Sequence, residues 1–158
     1  MLRRRDFLAG KKRGLCVGKT KRGKGTKLMV VADGQGIPLA IRAESATPAE
    51  VKLLEATMDQ VPGEPQRLVV DRGYDSNPLR ERMLDRGTEM ICPYRSNRRH
   101  RPYEDGRKLR RYQHRWIVER TIAWLGNYRR VLIRWEHNVR HYLAFVHVAC
   151  LMIVARQF

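Results

Sequence analysis

Apolar residues occur along this chain in short runs that are separated by polar turns. The segment KLMVVADGQGIPLAIRAE contains two such runs, joined by Asp33, Gly34, Gln35 and Gly36. An Asp-Gly turn between two apolar runs is a strong signal for a β-hairpin, because glycine tolerates the positive φ angles of tight turns. We therefore expect two antiparallel strands here.

The segment TPAEVKLLEATMDQV has apolar residues at helical spacing. Thr47, Pro48 and Glu50 stand where an N-cap residue, a first-turn proline and a capping-box glutamate are expected. The pattern predicts a helix packed on the sheet. Its apolar stripe consists of Val51, Leu54, Met58 and Val61.

Further along the chain, runs typical of strands and of helices alternate. In order, they predict a strand at 66–70, a short helix from 76 to 84, a strand at 89–94, a long helix from 109 to 134 and a last helix from 141 to 155. The last segment is apolar nearly all round, so we expect that helix to be buried. The order of elements indicates one α/β domain.

The charge distribution predicts a polyanionic partner. The 158 residues carry 33 Lys and Arg against 16 Asp and Glu, a formal net charge of +17. The basic residues cluster within 1–27 and within 95–134, as expected of a surface that neutralises nucleic-acid phosphates. The candidate phosphate-binding residues are Lys19, Lys21, Arg22, Lys24, Arg95, Arg98, Arg99 and Arg101.

The cysteines and the apolar segments argue against several other classes of protein. Cys16, Cys92 and Cys150 are far apart and form no CxxC pair, so neither a disulfide framework nor a zinc ribbon is expected. We find no pattern of a signal peptide or of a membrane span. A cytoplasmic, nucleoid-associated protein fits these features.

Asp71 follows the apolar residues of the predicted strand at 66–70 directly. It can be read either as a cap of the following turn or as one corner of an active site, because open α/β sheets place their chemistry at the carboxyl ends of strands. Asp75, which precedes the start of the next helix, is more typical of a cap.

Tyr112, Arg115 and Glu119 are spaced by three and then four residues, which places them on one helical stripe. Apolar residues flank Glu119, and an unpaired charge in such surroundings is costly. Mg²⁺ prefers carboxylate oxygens and commonly takes one or two of them together with waters and phosphate. Asp71 and Glu119 are therefore candidate ligands of a two-metal site for phosphoryl transfer.

Several strings resemble those of a known family over residues 10–158. They are VDRGYDS, YQHRWIVERTIAWL with its Tyr-x2-Arg-x3-Glu spacing, the tail NYRRVLIRWEHNVRHYLAFVHVACLMI and the hairpin segment KTKRGKGTKLMVVADGQGIPLAIRAESATPAE. Together they resemble the catalytic domain of bacterial insertion-sequence transposases of the DDE type.

The resemblance implies a ribonuclease H-like fold, an α/β architecture with a mixed sheet flanked by helices. It implies that Asp71 and Glu119 are the second and third acids of a DDE triad that binds Mg²⁺, or Mn²⁺ in its place. Arg115 would hold a phosphate or the glutamate, and Tyr112 would pack or hydrogen-bond at the DNA strand. The implied organisation is a basic N-terminal segment at 1–26 followed by a catalytic domain at 27–158.

The first acid of the triad departs from the family pattern. Asp6 precedes the Lys- and Gly-rich loop, but MLRRR stands ahead of it where the family has an apolar strand. Either Asp6 is a displaced first ligand or part of the first strand is missing. Asp33 is a weaker alternative, because turn chemistry explains its position.

The implied function is cleavage of transposon DNA ends and strand transfer into target DNA, carried out by a homo-oligomer on DNA. The alternative is a truncated, catalytically inactive remnant that only binds nucleic acid.

Overall fold

In the computed structural model, the structure describes residues 7–9, 14–20, 23–103 and 105–157. Within these ranges six strands form two separate sheets. β3 is the centre of the larger sheet, where β1, β2 and β4 all pair with it antiparallel, and β5 and β6 form a parallel pair. The strands are β1 (Phe7–Ala9), β2 (Gly18–Thr20), β3 (Gly23–Ala32), β4 (Pro38–Ser45), β5 (Arg67–Val69) and β6 (Glu89–Ile91).

In the described parts of the chain, six α-helices and three short 3₁₀ helices accompany the strands. The α-helices are α1 (Leu54–Met58), α2 (Asn77–Asp85), α3 (Gly106–Leu109), α4 (Trp116–Gly126), α5 (Arg129–Leu132) and α6 (Val139–Ala155), and the 3₁₀ helices are Glu50–Lys52, Arg72–Tyr74 and Arg110–Arg115. None of the helices within the described ranges is long and apolar enough to cross a membrane.

The β3–β4 hairpin lies between two hydrophobic clusters because side chains alternate between the two faces of a strand. Met29 and Val31 of β3 pack with α1, α2 and β5 on one face. Leu28 and Val30 pack with α4, α5 and α6 on the other. The predicted hairpin and the α/β class are confirmed, whereas a continuous ribonuclease H-like sheet remains a prediction, since the described strands form two sheets.

The turn of the hairpin holds α4 in place. Asp33 accepts hydrogen bonds from the backbone N–H groups of Gln35 and Ile37 at 2.8 Å, as its predicted turn role requires. Gly36 has a φ of +89°, and a Cβ there would lie 3.1 Å from the Thr121 hydroxyl. That hydroxyl donates to the Gly36 carbonyl at 2.7 Å, so the close approach of α4 depends on this glycine.

Replacing Thr121 by Val is expected to lower the free energy of unfolding by about 1–2 kcal/mol, because the buried Gly36 carbonyl loses its donor. Urea denaturation followed by circular dichroism measures the change. Thr121→Ser keeps the hydroxyl and is the matched control. Equal losses in the two variants would show that the methyl group, rather than the hydrogen bond, stabilises this contact.

The helix predicted after Thr47 differs from the one observed. Thr47 is not an N-cap: a 3₁₀ helix covers Glu50–Lys52 and α1 begins only at Leu54, each without a side-chain cap. The Thr47 hydroxyl oxygen instead accepts from the backbone N–H of Lys19, which ties β2 to the end of β4. The predicted apolar stripe is nevertheless packed against the sheet.

Two predictions about the C-terminal half are wrong. The long helix at 109–134 is divided into α3, the 3₁₀ helix Arg110–Arg115, α4 and α5. α6 is buried along one stripe only, because its neighbours β4, α4 and α5 all lie on one side. Its exposed apolar side chains are Phe145, Val148, Leu151 and Met152.

Candidate active site

Asp71 lies at the end of β5, where it caps the 3₁₀ helix Arg72–Tyr74. Its carboxylate accepts from the backbone N–H of Arg72 at 2.7 Å. The Cys92 thiol lies 3.3 Å from the backbone carbonyl of Asp71, and burial raises the pKa of this thiol to about 12, so it stays protonated and donates. The capping role is confirmed, and the bond from the Arg72 N–H holds the carboxylate in place.

The same carboxylate meets the Tyr112 and Arg115 side chains. Tyr112 donates to Asp71 Oδ1 at 3.2 Å, and Arg115 Nη1 donates both to Asp71 Oδ1 at 3.2 Å and to the Tyr112 hydroxyl at 2.9 Å. Arg115 Nη2 lies 3.1 Å from Glu119 Oε1. One guanidinium therefore bridges the two acids that the sequence singled out, and the stripe of Tyr112, Arg115 and Glu119 faces Asp71.

The site is partly screened from water. The side chains of Asp71 and Glu119 are 17% and 26% exposed. Burial, followed by the charge of Asp71, raises the pKa of Tyr112, so its hydroxyl stays protonated and donates at neutral pH. Burial alone would lower the pKa of Arg115, but Tyr112, Asp71 and Glu119 outweigh it and raise the pKa, which keeps the guanidinium charged.

The donor set of this site fits one Mg²⁺ ion. Asp71 and Glu119 supply hard carboxylate oxygens that already converge on a single cation, the Arg115 guanidinium. Two protein carboxylates with waters and a substrate phosphate are a common environment for Mg²⁺. Within the described ranges no cluster of three or more His, Cys, Asp or Glu is positioned to hold a metal.

The proposed first acid, Asp6, lies outside the described residues. Asp33, the weaker alternative, is held by the hairpin turn through its bonds to Gln35 and Ile37.

The candidate phosphate-binding residues fall into two groups. Lys21 and Arg22 lie outside the described residues, whereas Lys19 and Lys24 are opposite each other across β2 and β3. Ala32, at the other end of β3, packs against α4. At about 3.3 Å per residue, Lys24 is roughly 25 Å along the strand from that end. The structure does not bring these lysines to Asp71.

The second group is close to Asp71. Arg95, Arg98, Arg99 and Arg101 belong to the segment 95–101, which we call the arginine loop. The Arg95 guanidinium donates to the backbone carbonyls of Arg72 and Gly73, which directly follow Asp71.

Asp75 does not cap α2, so that prediction is wrong. Ser76 is the N-cap position, and the Asp75 carboxylate binds Arg80, Arg98 and the backbone N–H of Arg95. Burial would raise the pKa of Asp75, but these hydrogen bonds and charges lower it overall. The partners stand 5, 20 and 23 residues away, so no helical spacing in the sequence indicated this network.

Comparisons with known proteins identify the family. A family described as "Transposase DDE domain" matches residues 2–154. A protein assigned as a transposase of insertion sequence element IS402 in Burkholderia cepacia is 34% identical over 139 residues, which cover 82% of this chain and 62% of that protein. Another, assigned to element IS6501 in Brucella ovis, is 30% identical over 135 residues, covering 83% of this chain and 98% of that protein.

This chain thus spans less than two thirds of the length of the IS402 relative. No solved structure is significantly similar to it. The family match nevertheless extends over nearly all of the residues, including Asp71, Tyr112, Arg115 and Glu119, and confirms the resemblance read from the sequence. The chain belongs to the transposase DDE domain family.

Proposed function

We infer that this chain carries the metal-dependent chemistry of DNA transposition, which consists of cleavage at the ends of an insertion element and transfer of the freed 3′ end into target DNA. The observation that supports this most directly is the convergence of Asp71 and Glu119 on one guanidinium at 3.1–3.2 Å. The two acids come from a strand end and from a separate helix. An ordinary surface ion pair would involve only Arg115 and Glu119 and would not bring Asp71 to the same guanidinium.

In this proposal Asp71 and Glu119 hold a Mg²⁺ or Mn²⁺ ion. When bound, such an ion activates water and stabilises the charge that develops on the phosphate. Tyr112 orients the Asp71 carboxylate by donating to it, and Arg115, which lies between the two acids, is positioned to bind a DNA phosphate. A ribonuclease H-like arrangement is completed by a first acid, with Asp6 as the candidate in this chain.

The proposed substrates are transposon ends and target DNA. A net charge of +17 favours binding to DNA phosphates, and the arginine loop lies beside Asp71. We propose that a homo-oligomer holds the DNA ends and that the protein is associated with the nucleoid.

A second candidate function is nucleic-acid binding without catalysis. It is motivated by the sequence, in which MLRRR stands ahead of Asp6 where the family has an apolar strand. This alternative keeps the basic surfaces but assigns no reaction to the acids.

A cleavage assay separates the two candidates. The purified chain is incubated with a duplex that carries the terminal sequence of its element, in the presence of Mg²⁺, Mn²⁺ or EDTA, and the strands are resolved on a denaturing gel. We expect cleavage with either metal ion and none with EDTA, and no cleavage of a duplex with a scrambled terminus. DNA binding without cleavage, together with no Mn²⁺ binding in calorimetry, would support the second candidate and overturn the first.

A further inference from the structure

The arginine loop is held at both of its ends. At its start, the Arg95 backbone N–H donates to Asp75 Oδ2 at 2.9 Å. Just after its end, the Tyr103 backbone N–H donates to the Tyr94 hydroxyl at 2.9 Å. A loop with a formal charge of four arginines would repel itself if nothing compensated it, so these attachments indicate a loop that is ordered before DNA binds.

The Asp75 carboxylate binds this loop and is almost fully buried. Its side chain is 1% exposed, and its Oδ1 atom lies 2.8 Å from both Arg80 Nη1 and Arg98 Nη1. Removing a buried charge from such a pair is costly, because the partner charge is left uncompensated. Asp75 therefore joins the loop, through Arg98, to α2, through Arg80.

The neighbouring contacts keep this arrangement rigid. The guanidinium groups of Arg80 and Arg98 lie 4.4 and 5.0 Å from the centre of the Tyr94 ring. Arg80 also donates to the backbone carbonyl of Cys92 at 2.8 Å, which follows β6. Aromatic faces attract cations at these distances, so Tyr94 adds to the ion pairs of Asp75.

The position of the loop brings a guanidinium to the candidate active site. With its backbone N–H bound to Asp75, Arg95 reaches the carbonyls of Arg72 and Gly73 at 3.5 and 3.2 Å. Asp71 caps that same 3₁₀ turn. The Arg95 side chain is otherwise exposed, so it faces any DNA that approaches Asp71.

We propose that Asp75 is a positioning residue that docks the arginine loop against the turn Arg72–Tyr74. In that position the loop binds phosphates of the DNA next to the point at which a DNA strand reaches Asp71. This inference rests on the proposed function for its substrate. It adds a buried acid whose role is to place basic residues, in addition to the acids that hold the metal.

The sign of the effect of Asp75→Asn on DNA affinity tests the proposal. The substitution raises the net charge by one, so electrostatics alone would tighten DNA binding. If Asp75 positions the loop, the affinity for a short DNA duplex should instead fall about tenfold, as expected when well-placed phosphate contacts are lost. Hydrogen exchange of the DNA-free protein should become faster in residues 95–101.

Arg98→Met keeps the proposal testable if Asp75→Asn does not fold, because it leaves the buried pair of Asp75 and Arg80 in place. Arg99→Met is its matched control, since it removes the same charge from an exposed position of the same loop. Arg99→Met should reduce the magnitude of the slope of log affinity against log salt by about 0.9, the value for one lost phosphate contact, and Arg98→Met should reduce it by more. Only Arg98→Met should also speed hydrogen exchange in the loop and weaken binding further.

Unchanged or tighter DNA binding by Asp75→Asn with unchanged exchange would overturn the proposal, as would equal behaviour of Arg98→Met and Arg99→Met. None of these measurements requires cleavage. A chain that shows the expected loop order and DNA affinity but does not cut DNA would therefore contradict the proposed function and leave this inference standing.

Discussion

Replacing Asp71 by Asn, or Glu119 by Gln, is expected to reduce metal-dependent cleavage of element ends by at least about a thousand-fold. A bound metal ion contributes several kcal/mol to transition-state stabilisation, and each 1.4 kcal/mol or so is a factor of ten in rate. A neutral amide is a poor ligand for Mg²⁺, so either change removes a large part of that contribution. Cleavage rates measured under single-turnover conditions give the effect.

These two substitutions should leave the fold intact. Asn serves as well as Asp as a helix cap, so the bond from the Arg72 N–H to residue 71 is retained. Glu119 lies four residues after Arg115 in a partly exposed ion pair, which contributes only a few tenths of a kcal/mol.

Asp85→Asn is the matched control for the charge change, because Asp85 is exposed on α2, and it should cut DNA at the wild-type rate. Retained cleavage in Asp71→Asn or Glu119→Gln, with unchanged thermal unfolding, would mean that the acids do not hold the catalytic metal.

The elements that the sequence predicted correctly are those that local chemistry determines. The β3–β4 hairpin depends on Asp33, whose carboxylate binds backbone N–H groups only two and four residues away. α2 ends at Asp85, one residue from the end that the sequence predicted, and Gly87 just beyond it has a φ of +81°. Such contacts are made within a few residues, so a single sequence contains the information for them.

The division of the predicted long helix into several shorter helices could not be predicted from local sequence patterns. Residues three apart, such as Tyr112 and Arg115, lie on the same side of both a 3₁₀ helix and an α-helix, so their spacing does not separate the two kinds of helix. Contacts of Tyr112 and Arg115 with Asp71, which is more than forty residues away, contribute to this local geometry.

The candidate site was predictable where its residues share a helical stripe and not where they come from separate segments. Arg115 and Glu119 stand four residues apart, and Asp71 was found because it ends an apolar strand. The contacts of Asp75 with Arg95 and Arg98 depend on how the loop after β6 folds back onto α2, which no pattern in the sequence specifies.

Replacing Arg115 by Met is expected to change metal binding and cleavage in opposite directions. The guanidinium lies between the two acids, 3.2 Å from Asp71 and 3.1 Å from Glu119, in the place where a metal ion would bind both. Removing this cation leaves two carboxylates without their counter-charge, so Mn²⁺ should bind the DNA-free protein about tenfold more tightly, a difference of roughly 1.4 kcal/mol. Isothermal titration calorimetry measures that affinity.

Cleavage by Arg115→Met should nevertheless fall, by about tenfold or more, because a lost charged hydrogen bond to phosphate costs roughly 1.5–3 kcal/mol. Arg111→Met removes the same charge from an exposed position of the same 3₁₀ helix and should change neither quantity by more than about twofold, as expected for screened surface charges.

Arg115→Lys keeps a positive charge but cannot bridge both acids in the same way, so we expect its Mn²⁺ affinity to lie between those of the wild type and Arg115→Met. Weaker Mn²⁺ binding in Arg115→Met would contradict this reading. It would mean that Arg115 holds Asp71 and Glu119 in the geometry that the metal needs, and that the ion binds beside the guanidinium and does not replace it.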